Sequence, residues 1–193
     1  AATHTCGNGG GIMTVREIAM SAAEILQADD LLSALESDED SALEDTDVKT
    51  LLKCVWLAVS EAAVDFPLLS TVDANSIGGR IAFDGFEPFV YIKSVERNGR
   101  AVPFAADGAC VSVRCDGVYQ VTFAVRPQDC AIDEAVTLGA DADRDMIAYL
   151  CARNYCLATG RYDEAGVWDQ RYCVEAERRR IRRRATMPAR EWR

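Results

Sequence analysis

The chain has almost no histidine. His4 is the only one, and it lies in a glycine-rich start, so no Ser-His or Cys-His nucleophile pair can form in the body. No apolar run approaches membrane-span length, and no basic-then-apolar leader is present, so neither a transmembrane helix nor secretion is expected. There is no P-loop and no G-x-G-x-x-G; Gly9-Gly10-Gly11 stands outside any strand–turn–helix context. Eight cysteines are present, but none forms a C-x-x-C pair, and zinc sites usually show closely paired ligands. They read as structural thiols in a reducing compartment, with Cys54, Cys151 and Cys173 as small buried hydrophobes within helical patterns. The expectation is no catalytic set, no cofactor and no metal.

Basic residues are missing between Arg16 and Lys49, and residues 36–47 (ESDEDSALEDTD) form an acidic linker. A calcium loop would need a glycine turn and a terminal glutamate at fixed spacing, and both are lacking, so a solvated loop is expected. Carboxylates elsewhere sit in loops and caps. A pair such as Asp84 and Glu87 would serve glycoside hydrolysis only inside a cleft.

What is present is 193 residues, 49% hydrophobic, which suffices for one core. The net charge of −10 is unevenly placed. From Arg171 to Arg193 nine arginines face Glu175, Glu177 and Glu191, a balance of +6, which leaves −16 on the other 170 residues. The body should repel nucleic acid and the tail should attract anionic surfaces.

Residues 1–12 have no periodicity and read as a flexible leader or tag, with a docking arm as the alternative. Thr14-Val15-Arg16-Glu17 is a capping box, followed by Val15, Ile18, Ala22 and Ile25 on one helical face as far as Gln27. A short helix follows through Leu31, Leu32 and Leu35. Thr46 or Asp47 should cap the next helix, with Val48, Leu51, Leu52, Val55, Val59 and Ala62 inward, Trp56 beside them, Lys49 and Lys53 outward, and a stop at Asp65-Phe66-Pro67.

From residue 68 to 136 the period changes to two. Strands are expected at 80–83, 90–95, 102–104, 110–114 and 119–125, with Asn98-Gly99 as a two-residue hairpin turn and a second hairpin around 115–118. After an acidic entry, residues 141–184 read as a helical hairpin broken at Ala158-Thr159-Gly160-Arg161. Met146, Ile147, Leu150, Asn154 and Leu157 line its first helix, and Ala165, Trp168, Tyr172 and Ala176 its second, with Val167, Val174 and Ile181 at sevens beside them. The order implies an α+β fold: helices over 14–66, a small antiparallel β insert of four or five strands over 68–136, and the hairpin over 141–184 packed with the first helices. Residues 13–184 would form one domain and 185–193 a C-terminal tail.

The arginine block Arg178-Arg179-Arg180-Ile181-Arg182-Arg183-Arg184 has three readings: phosphate neutralisation, a solvated helix end, or docking on an acidic protein partner. Little aromatic interleaving argues against base stacking. In the tail, Trp192 between arginines has the character of an interface anchor.

The layout from about Thr14 to Arg184 resembles head–tail connector (adaptor) proteins of tailed bacteriophages. The residues that carry the likeness are the capped start Thr14-Val15-Arg16-Glu17-Ile18, the helix end Ala63-Val64-Asp65-Phe66-Pro67, and the strand Tyr119-Gln120-Val121-Thr122-Phe123 with Arg126-Pro127. Most specific is Tyr155-Cys156-Leu157-Ala158-Thr159-Gly160-Arg161-Tyr162-Asp163-Glu164-Ala165, followed by Trp168-Asp169-Gln170-Arg171-Tyr172. The resemblance implies a non-enzymatic virion protein at the head–tail interface, made in the bacterial host cytoplasm. It implies a homo-oligomeric, usually dodecameric, ring below the portal, which binds the portal protein and extends the DNA channel. The ring would offer a platform to a downstream neck or tail protein, and double-stranded DNA would pass without specific binding. Portal contact would fall to the C-terminal segment: Arg178, Arg179, Arg180, Arg182, Arg183, Arg184, Arg190, Trp192 and Arg193. The leader before Met13 and the size of the sheet depart from the pattern. Reading the arginine helix as a nucleic-acid-binding regulator is the alternative, and an enzyme with an acidic pocket is a third.

Overall fold

The computed structural model describes residues 13–37, 40–83 and 86–185, side chains at 40, 41 and 182–185 excepted. The leader 1–12 with His4 and Cys6, part of the acidic linker, Asp84 and the tail 186–193 lie outside the described residues.

The fold is α+β. Helices α1 (Val15–Leu26), α2 (Asp29–Glu36), α3 (Asp40–Leu43) and α4 (Thr46–Asp65) precede strands β1 (Leu69–Ser76), β2 (Arg80–Ala82), β3 (Phe89–Arg97), β4 (Arg100–Ala101), β5 (Ala105–Ala106), β6 (Cys110–Ser112) and β7 (Gly117–Val125). Helices α5 (Arg144–Ala158) and α6 (Tyr162–Ala185) follow.

The capping box at Thr14 is complete: its hydroxyl accepts from the Glu17 N–H at 3.2 Å, and Glu17 accepts from the Thr14 N–H at 2.9 Å. Val15, Ile18, Ala19, Ala22, Ala23 and Leu26 face inward, so the buried face is closed by Leu26, while Ile25 is half-exposed. α4 is capped one residue earlier than Thr46: Asp45 accepts from the Asp47 N–H at 2.7 Å, because its short carboxylate reaches the first free N–H groups. The acidic linker is not all loop, since α3 interrupts it.

α5 lies between α1, α4 and α6. Its sequence shows why: Met146, Ile147, Ala148, Leu150, Cys151, Ala152, Tyr155 and Cys156 are buried around most of its circumference, the pattern of a helix enclosed by neighbours. Leu157, read as inward-facing, is exposed at its last turn. The α5–α6 break is a Schellman turn. Arg161 N–H reaches the Cys156 carbonyl at 2.7 Å, Gly160 N–H reaches Leu157 at 3.4 Å, and Gly160 has φ of 78°.

The strand region holds two antiparallel sheets rather than one, in the orders β1-β7-β3-β4 and β2-β6-β5. Asn98 and Gly99, with φ of 52° and 71°, form the expected turn between β3 and β4. Three expectations fail. β1, whose residues LSTVDANS are too polar to show an apolar alternation, pairs along its length with β7. β6 pairs with β2 and β5, so no hairpin joins it to β7 around 115–118. The strand expected at 102–104 is also absent: β4 ends at Ala101 and β5 begins at Ala105, with Pro103, which has no N–H to donate, between them.

The apolar interior is divided. Helices α1, α2, α4, α5 and α6 share one cluster, while Ile81, Val95, Val111, Tyr119 and Val121 centre a second among the strands. The connection from β7 to α5 laces back onto α1: Val136 N–H donates to Met13 at 2.8 Å, Arg16 N–H to Ile132 at 2.8 Å, and the Arg16 guanidinium binds Asp133 at 2.5 Å.

Candidate partner-binding surface

α6 carries two stripes of different fate. Ala165, Trp168, Tyr172 and Ala176 turn toward the body, as the spacing predicts, and Arg179, expected among the partner-binding residues, continues that stripe half-buried. On roughly the opposite face, Val167, Arg171, Val174, Arg178 and Ile181 recur at alternating steps of four and three. Their three apolar members are 50%, 47% and 55% exposed. A heptad seam of that kind ordinarily meets another helix. Beside it, Tyr149 of α5 stacks on Trp168 with ring centroids 6.1 Å apart, and the Arg171 guanidinium lies 5.1 Å over the Trp168 ring. Tyr149, Val167, Arg171, Val174 and Arg178 line an open groove of about 370 Å³. The sevens are visible in the sequence, whereas nothing local marks Tyr149 or Arg171 as surface groups; the signal for Arg171 is the 4-3-4-3 spacing itself.

The arginine block does not act as one unit. Arg179 folds back to the Asp143 carboxylate and the Asp141 carbonyl, and Arg180 reaches Asp65. Asp65 also accepts from the Tyr172 hydroxyl at 2.7 Å. Burial, then this hydrogen bond, pushes the Tyr172 phenol well above its usual range. Arg178 is exposed and pairs with Glu175 at 2.6 Å. Thus two of the six block arginines are spent on the chain's own helix ends. Arg182, Arg183 and Arg184 continue α6, while Arg190, Trp192 and Arg193 lie outside the described residues.

Arg153 ties three helices together. It binds Glu61 of α4, Asp169 of α6 at 3.0 Å and the Asn154 side-chain oxygen at 2.8 Å. Burial opposes its charge, but the hydrogen bonds to Asp169 and Glu61 outweigh it, and the guanidinium is held more firmly protonated than usual.

Cys54, Cys151 and Cys156 are buried free thiols, and Cys173, expected inside, is exposed because position 173 falls between the two stripes of α6. Burial, with Cys156 nearby, raises the Cys54 thiol to about 11. Among the described residues no group of three or more His, Cys, Asp or Glu side chains could hold a metal ion. No described helix is long and apolar enough to cross a membrane.

No protein-family model and no curated protein matches this chain.

Proposed function

We propose that this protein is a ring-forming head–tail connector of a tailed bacteriophage, working by shape and self-association. It would bind the portal, extend the DNA channel and offer a platform to the next neck or tail protein. The uncovered stripe on α6 carries the reading. Between residues 167 and 181 this helix keeps Val167, Val174 and Ile181 exposed in one line with Arg171 and Arg178, as an assembling subunit requires and an isolated globular protein does not.

Three further points support it. The most specific part of the connector resemblance, 155–165, coincides with the Schellman turn joining the central helix to the helix with the free seam. The acidic body would let DNA slide without grip. Retention of Arg179 and Arg180 by Asp143 and Asp65 reduces the positive charge available to phosphate, which weighs against the nucleic-acid-binding alternative.

Particle images of the full chain mixed with the portal of its own phage test the proposal. Rings stacked on the portal are expected, with contact weakened by deletion of residues 185–193. Absence of any complex would remove the connector reading. Tight duplex binding that falls steeply with salt would put the alternative in its place.

A further inference from the structure

The free seam of α6 has a counterpart on the same chain. The outward face of α1 is Glu17, Met20, Glu24 and Gln27, again at steps of three and four and opposite the buried residues Val15, Ile18, Ala22 and Leu26. Glu17 and Glu24 are exposed and seven residues apart, with half-buried Met20 between them. On α6, Arg171 and Arg178 are exposed and seven apart, with exposed Val174 between them. Seven residues of helix span about 10.5 Å, so the two charged pairs have the same pitch. Among the described residues Arg171 has no carboxylate partner and Glu24 no basic one. The surroundings agree in sign: residues 17–48 contain acidic residues and no basic one, whereas the C-terminal segment from Arg171 carries +6.

The two faces cannot meet within one chain. α1 and α6 both pack on α5 with little contact between them, and the charged residues Glu17 and Glu24 of α1 and Arg171 and Arg178 of α6 are all exposed. Two different, complementary faces on one subunit are the requirement for a head-to-tail contact, which closes into a ring when the rotation allows.

We infer that α6 of one copy docks antiparallel along α1 of the next, with Arg171 and Arg178 facing Glu24 and Glu17, Val174 covering Met20, and Val167 lying over the C-terminal end of α1 at Gln27. The occupant of the α6 groove is therefore a second copy of this chain. The inference rests on the ring-assembly reading and specifies its interface. Tyr149 and Trp168 form the floor of the groove, and the cation over Trp168 is held in place to receive a carboxylate.

The test is sedimentation velocity of the purified full chain and two surface variants, R171E and E24R, each checked for native circular dichroism. Glu17 is left unchanged because it closes the cap of α1. Wild type is expected to self-associate, more weakly as salt rises, and each variant alone to associate about tenfold or more weakly. An equimolar mixture of the two variants should recover association, since every contact then pairs opposite charges. That recovery cannot come from misfolded chains. Variants that assemble like wild type, or a mixture that stays dissociated, overturn this interface while leaving the portal experiment to decide the function. A wild-type chain that remains monomeric at its highest soluble concentration also overturns it.

Discussion

The Tyr172 hydroxyl donates to the Asp65 carboxylate across 107 residues of sequence, joining the middle of α6 to the last turn of α4. The same carboxylate receives Arg180. Replacing Tyr172 with Phe keeps the buried ring and removes only the donor, so the expected loss is about 1–2 kcal/mol, read from urea unfolding. The linkage sign follows from a neutral phenol with a raised pKa. Its contribution is complete below the ordinary tyrosine value of 10 and is lost only as pH climbs further toward the folded value. The variant should therefore show a weaker alkaline decline than the wild type.

Arg153 holds α4, α5 and α6 at one point, and its two carboxylate partners are about half exposed. Arg153→Met should destabilise by about 1–2 kcal/mol, well short of the cost of breaking a fully buried pair, because water can solvate the released Glu61 and Asp169. Thermal unfolding in low and high salt checks this: the difference from wild type should narrow as salt rises.

Thiol labelling should divide the cysteines. Cys115 and Cys173 are exposed and should react at once with a disulfide reagent at pH 8, whereas Cys54, Cys151 and Cys156 should react only on unfolding. The buried thiols are held neutral, Cys54 to about 11. Their contribution is present below pH 9, the unfolded value, and is lost as pH rises toward the folded one. Fast labelling of Cys151 in native conditions would contradict the enclosure of α5.

Arg16 anchors the loop before α5 through Asp133, whose pKa the guanidinium hydrogen bond lowers. In Arg16→Ala the Asp133 carboxyl should titrate nearer its usual value, a shift visible by NMR. The depressed pKa contributes stability above the unfolded value of 3.8 and loses it as pH falls below that value.

Much of the helical architecture was legible because it rests on period and punctuation. The capping box at Thr14, the stop at Pro67 and the turn at Gly160 are local chemistry and stand where the residues put them. β1 was hidden because a strand whose partner lies at 117–125 can be polar and still pair through its backbone. The split into two sheets depends on which strands meet across long separations, and alternation alone says nothing about that. The fate of the arginines was also non-local: Arg179 and Arg180 look identical to their neighbours in sequence, and only the folded positions of Asp143 and Asp65 distinguish them. The surface stripe of α6 was visible as sevens, but whether those valines were covered was a question of what packs on α5.

The division of the interior into two clusters has a consequence for biosynthesis. Every residue of the strand cluster lies between 72 and 121, so that unit is complete as soon as its segment leaves the ribosome. The helical cluster draws on residues from 13 to 66 and again from 130 to 176. Its first helices must therefore wait, apolar faces unmet, while the whole strand region is made. A nascent chain stalled before α5 would present a finished β lobe attached to a helical half that still needs shielding from its neighbours on the polysome.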